Sequence, residues 1–217
     1  ATPTIFVKAD NIKINMNGHS FTGNGVAAGF ITSSPNACIA VHNVEIYNGI
    51  IQSTGRAIGI CVPGSAAVDT KWSIHDISIR GNGSGIYLNN ANRNEIRNVT
   101  MERLTLTNPN VNGPKFGNGI EMYNSSWNLV HNNSVNTANE AGIVFSTNSS
   151  DNDFKANNIQ HTKVGIHAAA GVKDNVIRAN TSLFNTTDMQ DDNLTPACGT
   201  DDWIRNTFTT SNQFCIH

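Results

Sequence analysis

Gly142-Ile143-Val144-Phe145 returns one interval later as Gly165-Ile166-His167-Ala168, and this glycine-then-apolar pair decides how the chain folds. Outward from it, the pair recurs at Gly119-Ile120, Gly85-Ile86, Gly59-Ile60 and Gly29-Phe30, and Asp188-Met189 takes the same place one interval further on. From Gly29 to Asp188 the intervals run from about 23 to about 34 residues, and the last three, from Gly119 onward, are equal. A recurring period in this range marks a solenoid, in which each repeat packs on its neighbours.

A second series lies between the first. An apolar residue followed by a polar one recurs at Val41-His42, Ile74-His75, Ile96-Arg97, Val130-His131, Phe154-Lys155, Ile177-Arg178 and Ile204-Arg205. The legs from Ile74 to Gly85 and from Val130 to Gly142 take about a dozen positions each, and return legs such as Gly85 to Ile96 are equally short. Pieces of this length hold strands and turns, not helices. Within them apolar residues alternate, as in Ile77-Ser78-Ile79 and Ile86-Tyr87-Leu88, which is strand periodicity with one side facing in. Asn supplies 33 of 217 residues, a share that fits turns with left-handed backbone and hydrogen-bonded side-chain ladders between stacked coils. Each turn then climbs one strand spacing, about 4.8 Å.

The segment Ala9-Asp10-Asn11-Ile12-Lys13-Ile14-Asn15-Met16-Asn17-Gly18-His19, with Asn-x-apolar runs such as Asn175-Val176-Ile177-Arg178-Ala179-Asn180, resembles right-handed parallel β-helix proteins of the pectate-lyase-like type. The nearest likeness is to the NosD-like, carbohydrate-binding and sugar-hydrolase subset of bacterial secreted proteins, and it extends from about Ala9 to Cys215. The resemblance implies an all-β fold: a single-domain right-handed parallel β-helix over residues 1–217, with about eight coils of about 23 residues each. It is specific for fold and poor for function.

Composition narrows the function classes. A narrow solenoid interior needs no large apolar core, so 38% hydrophobic and 14% charged residues are sufficient. A net charge of −2 carries no polybasic signature, which argues against nucleic acid as a partner. No apolar run is long enough to span a membrane, and no signal peptide is visible at Ala1, so a mature or trimmed chain is expected. Cys198 and Cys215 bracket the last coil, 198–217, and a disulfide there would close the end of the sheet and imply a secreted or periplasmic setting. Cys38 and Cys61 form either a second bridge or two buried thiols. The repeat begins close to Ala1, so either a preceding segment or a second copy of the chain is expected to cover the first coil.

Candidate chemistry is read from spacing. Val41 to Gly59 takes about 18 residues and Ile96 to Gly119 about 23, against about 11 in the coil between them. The excess, around Asn48–Arg56 and Asn108–Gly117, predicts two loops walling a cleft about 10 Å wide. Its floor is the outward column Ile31, Cys61, Tyr87, Glu121, Val144, His167 and Gln190. Tyr87, Glu121, Lys115 and Arg56 are the candidate catalytic residues, and Tyr123, Asn110, Asn112 and His167 would bind substrate. An aromatic ring stacks on a pyranose, Asn bonds hydroxyls, and Arg or Lys pairs with a uronate carboxylate. Glu121 would act as general acid or base, or as a Ca²⁺ ligand with Asn neighbours.

The basic column His42, His75, Arg97, His131, Lys155, Arg178 and Arg205 has two readings. It tracks an acidic polymer, with Arg97 and His131 central, or it splays into solvent beside Asp76, Glu102, Asp153 and Asp174. The acidic pairs Asp191-Asp192 and Asp201-Asp202 fit turns or calcium as well as catalysis. Three functions follow: a lyase or epimerase acting on an acidic polysaccharide, a carbohydrate-binding or adhesion module without turnover, or a structural subunit stacking end to end. Fold alone does not choose among them.

Overall fold

The computed structural model describes residues 5–23, 26–28, 38–53, 55–81, 83–104 and 117–217. They form a right-handed parallel β-solenoid of about 6 turns without helices, slightly fewer turns than expected. Among them no helix is long and apolar enough to cross a membrane.

Three parallel ladders form its sides. The ladder that carries the site joins Ile5–Val7, Val26–Ala28, Arg56–Cys61, Ser84–Asn89, Ile120–Tyr123, the second halves of Ser134–Ser146 and Asn158–Ala168, and Thr187–Asp191. The alternation read from sequence sets its register: Ile58, Ile86, Ile120, Ile143, Ile166 and Met189 stack inward, all fully buried. A second ladder stacks Ile46, Ile74, Ile96, Val130, Phe154, Ile177 and Trp203. A third stacks Ile51, Ile79, Met101, Val135 and Ile159. One apolar column thus lies behind each side, and a one-residue slip would turn a whole column out to water.

The glycine column is a matter of space. A Cβ placed on Gly85, Gly119 or Gly142 would strike the carbonyl oxygen of the glycine one coil on, namely Gly119, Gly142 or Gly165. At the seventh position Asp188 ends the series, its carboxylate accepting the N–H groups of Asn185, Thr209 and Thr210.

The asparagines divide into two jobs. Left-handed backbone occurs at Arg93, Trp127, Asp151 and Asp174, and again at Asn132, Ala156, Ala179 and Arg205. The Asn that follows each of these turns its side chain inward. Asn94, Asn128, Asn152 and Asn175 form one buried ladder that ends on Asp201, with amide-to-carbonyl distances of 2.9 to 3.0 Å. Asn133, Asn157, Asn180 and Asn206 form a second, at 2.9 to 3.1 Å. Each buried amide so satisfies the bend backbone that water cannot reach.

Three expectations fail, through misalignments in the first coils and one in the last. Ala57, not Gly59, lies level with Gly85, because Ile58 pairs with Ile86 and Gly59 with Tyr87. Cys61 therefore pairs with Asn89 and leaves the Tyr87 column, and Ile31 lies outside the described residues. Likewise Tyr47 pairs with His75, and Ile204 with Arg178, so His42 and Arg205 do not belong to the basic column. With Ile46 as the true mark, the leg from Ile46 to Ile58 is as long as the leg from Ile74 to Ile86. The expected loop at 48–56 vanishes, since Glu45–Ser53 and Arg56–Cys61 are strands. The other expected loop falls largely in 105–116, outside the described residues.

Both disulfides form. Cys198 and Cys215 join with Cα atoms 6.2 Å apart, and Cys38 joins Cys61 with Cα atoms 5.2 Å apart.

Candidate functional site

Outward from the glycine ladder, Tyr87, Glu121, Val144, His167 and Gln190 stand on consecutive rungs. Arg56, on a strand instead of a loop wall, lays its guanidinium carbon 3.6 Å from the centre of the Tyr87 ring. Its Nη2 lies 3.9 Å from Glu121 Oε2. Asn118 Nδ2 donates to the same Glu121 oxygen at 3.3 Å. Asn118 is itself fixed, because Ala141 N–H donates to its Oδ1 at 3.0 Å.

Burial dominates the electrostatics. It pushes the Glu121 carboxyl above its ordinary range, against the opposing pull of Arg56 and Asn118. It also pushes the Tyr87 phenol up; Arg56 opposes this, while Glu121 and Tyr123 add to it. The side chains of Arg56 and Glu121 are only 11% and 19% exposed, so their charges meet in a poorly hydrated place. Perturbed carboxyls on an outward sheet face are a mark of functional sites.

From Glu121 the surface opens into a groove of about 350 Å³ that runs over Val144 to His167 and Gln190. Its rims carry Glu140 with Lys163, Nζ to Oε2 3.6 Å. His167 Nε2 lies 2.8 Å from Asp192 Oδ2, at the far end of the groove.

The structure brings together Arg56, Tyr87 and Glu121, and places His167 two rungs from Glu121. Tyr123 extends from the same strand as Glu121 and is 44% exposed. Lys115, Asn110 and Asn112 lie outside the described residues. Arg97 and His131 belong to the second ladder, away from these rungs. They are held by Glu95, at 3.6 and 3.1 Å, and Arg178 is held by Asp153 at 2.6 Å. Much of that column is thus neutralised within the protein. A guanidinium and an amide N–H₂ face the Glu121 carboxylate, both at Oε2, and among the described residues no group of three or more His, Cys, Asp or Glu could hold a metal ion.

Sequence reading passed over Asn118 and Lys163, and marked Asp192 only as half of an acidic pair, not as the partner of His167. Asn118 immediately precedes the Gly119-Ile120 pair, and Asp192 follows the outward Gln190 by two positions. Each could have been picked out by extending the outward column to its strand ends.

A comparison with family models matches residues 3–182 to the right-handed β-helix region. The chain belongs to the right-handed β-helix family. Searches of the curated proteins and of the solved structures return no match. In this β-helix the perturbed carboxyl of Glu121 stands on an outward face whose rungs repeat coil after coil.

Proposed function

We propose that this β-helix is a secreted carbohydrate-active protein that acts on an acidic, uronate-containing polysaccharide as a lyase or epimerase. The observation that carries the reading is the group Arg56, Tyr87 and Glu121. When Glu121 takes a proton, the net charge of this group becomes positive and attracts a sugar carboxylate. Pairing that carboxylate with a cation makes the hydrogen on the adjacent carbon more acidic, which both reactions require. Protonated Glu121 and the phenol of Tyr87 then stand as proton donors beside it. The two disulfides support an oxidising compartment. The pectate-lyase-like and NosD-like resemblance of the sequence points to the same substrate class.

The test is incubation with pectin, alginate, hyaluronan and other uronate polymers, following ultraviolet absorbance of an unsaturated sugar and analysing the product for inverted uronates. Turnover of one polymer, lowered at least about tenfold in Glu121→Gln and Arg56→Ala, is expected. No turnover on any of them, or full rates in both variants, would overturn the assignment.

A second reading is a carbohydrate-binding module without turnover. It is favoured by Tyr123 and Trp127, 44% and 51% exposed on either side of one bend, where their rings can stack on sugar faces. Retardation in a polysaccharide gel without new chain ends would support it.

A further inference from the structure

The far end of the groove holds a polar relay that the group at Glu121 leaves unused. His167 Nε2 is 2.8 Å from Asp192 Oδ2, and Gln190 Nε2 donates to the other oxygen, Asp192 Oδ1, also at 2.8 Å. Both oxygens of the carboxylate are therefore fixed. Burial alone would raise Asp192, but the hydrogen bonds from Gln190 and His167 outweigh it and hold the carboxyl below its ordinary range. An ionised partner at Nε2 places the ring proton there and leaves the lone pair on Nδ1. Among the described residues Nδ1 has no hydrogen-bond partner, and the ring lines the groove.

Two rungs away, Glu121 faces the same groove, with Val144 as the floor between them. Two rungs are about 10 Å at the backbone, enough for one pyranose ring to lie on Val144 with a group on either side. Lys163, 59% exposed and 3.6 Å from Glu140, stands on the rim of the same groove.

We propose that His167 is the base that removes the proton beside the uronate carboxylate, with Asp192 and Gln190 as positioning residues and Glu121 as the acid across the groove. This rests on the uronate reading above. In the lyase form, Nδ1 takes the proton from C5 and that bonding pair becomes the C4=C5 double bond. The C4–O bond breaks, and the departing oxygen keeps its electron pair and takes the proton of the Glu121 carboxyl. Proton return from the imidazolium to Glu121 through water restores both groups, and no oxidant or reductant is consumed.

The test uses the full chain and the polymer it turns over best, with His167→Asn and Asp192→Asn, each checked for an unchanged thermal midpoint. His167→Asn is expected to lower kcat at least about 100-fold with little change in KM. Asp192→Asn is expected to lower kcat about tenfold with little change in KM, because a neutral amide no longer fixes the ring proton at Nε2, and Asp192→Glu to regain part of the rate. A merely structural ion pair would leave kcat at the wild-type value once the thermal midpoints match. Turnover by the wild type with His167→Asn unchanged would overturn the role of His167 and leave the uronate assignment standing. Should His167→Asn not fold, a wild-type kcat in Asp192→Asn would overturn it equally. Absence of turnover by the wild type on every uronate polymer would overturn the assignment itself, and this inference with it.

Discussion

Replacing Asn152 by Ala tests what holds the coils at their bends. Asn152 Oδ1 accepts the backbone N–H of Asn128 at 2.9 Å and its side-chain amide at 3.0 Å. Its own amide donates to Ser125 O at 3.0 Å and to Asn175 Oδ1 at 2.9 Å. The site is 1% exposed, so water does not replace these partners. Truncation strands the Asn128 N–H, at about 1–3 kcal/mol, removes two donated bonds at about 1 kcal/mol each, and leaves a small void. The sum is about 3–5 kcal/mol. The side-chain amide of Asn128 keeps Ala91 O at 3.3 Å, which argues for the lower half of that range. Urea unfolding followed by circular dichroism measures the loss, with Asn158→Ala as control, since Asn158 is an exposed strand residue and its truncation should cost within about 0.5 kcal/mol. If the two variants fell within about 1 kcal/mol of each other, the ladders would not be holding the bends.

Asp201 ends that ladder with a carboxyl that burial pushes up to about 6, the bonds from Asn175 opposing and Asp191 and Asp174 adding. A folded value above the ordinary 3.8 means that its contribution to stability is full below pH 3.8 and lost as pH rises through about 6. Allowing for solvent screening, Asp201→Asn should change stability by about 1–2 kcal/mol less favourably at pH 4 than at pH 7, read from urea midpoints of both proteins across pH. Gly119→Ala would drive a Cβ into Gly142 O and the Val135 side chain and should cost on the order of 2–4 kcal/mol, whereas Gly64→Ala, with open space but a φ of +89°, should cost about 1 kcal/mol; unfolding curves decide. Removing the Cys198–Cys215 bridge, which closes 17 residues, should lower stability by about 3 kcal/mol, measured by comparing melts of the Ser variant and the parent.

The fold was legible from Gly85 onward because two short-range rules agree there. Glycine is required where backbones of successive coils meet, and strand alternation fixes which neighbour faces in, so Gly85, Gly119, Gly142 and Gly165 stack as spaced. Upstream the same rule misled, because Ala57 occupies the tight position and Gly59 an outward one opposite Tyr87. A pattern of residue types cannot separate a glycine needed for space from one that is merely tolerated. That slip invented the loop at 48–56 and set Arg56 on a wall, when the strand carries it onto the Tyr87 ring. The rung neighbours Tyr87 and Glu121 followed directly from period. Asn118 and Asp192 did not, since their effect depends on side-chain reach across the strand ends. The Asn count hid a division of labour as well: Trp127 and Asp151 take the left-handed bends, and the Asn after each does the bonding.

The decisive measurement is calorimetric binding of a uronate oligosaccharide as the pH is lowered from neutral toward the ordinary glutamate range, for the wild type and Glu121→Gln. Glu121 is held above its ordinary range, so lowering the pH protonates it while the sugar stays anionic, and the local charge with Arg56 rises from neutral to positive. Affinity of the wild type is expected to tighten as pH falls, and Glu121→Gln to bind with little pH dependence. Binding that is equally pH-dependent in both proteins, or absent at every pH, would contradict the proposed role of Glu121.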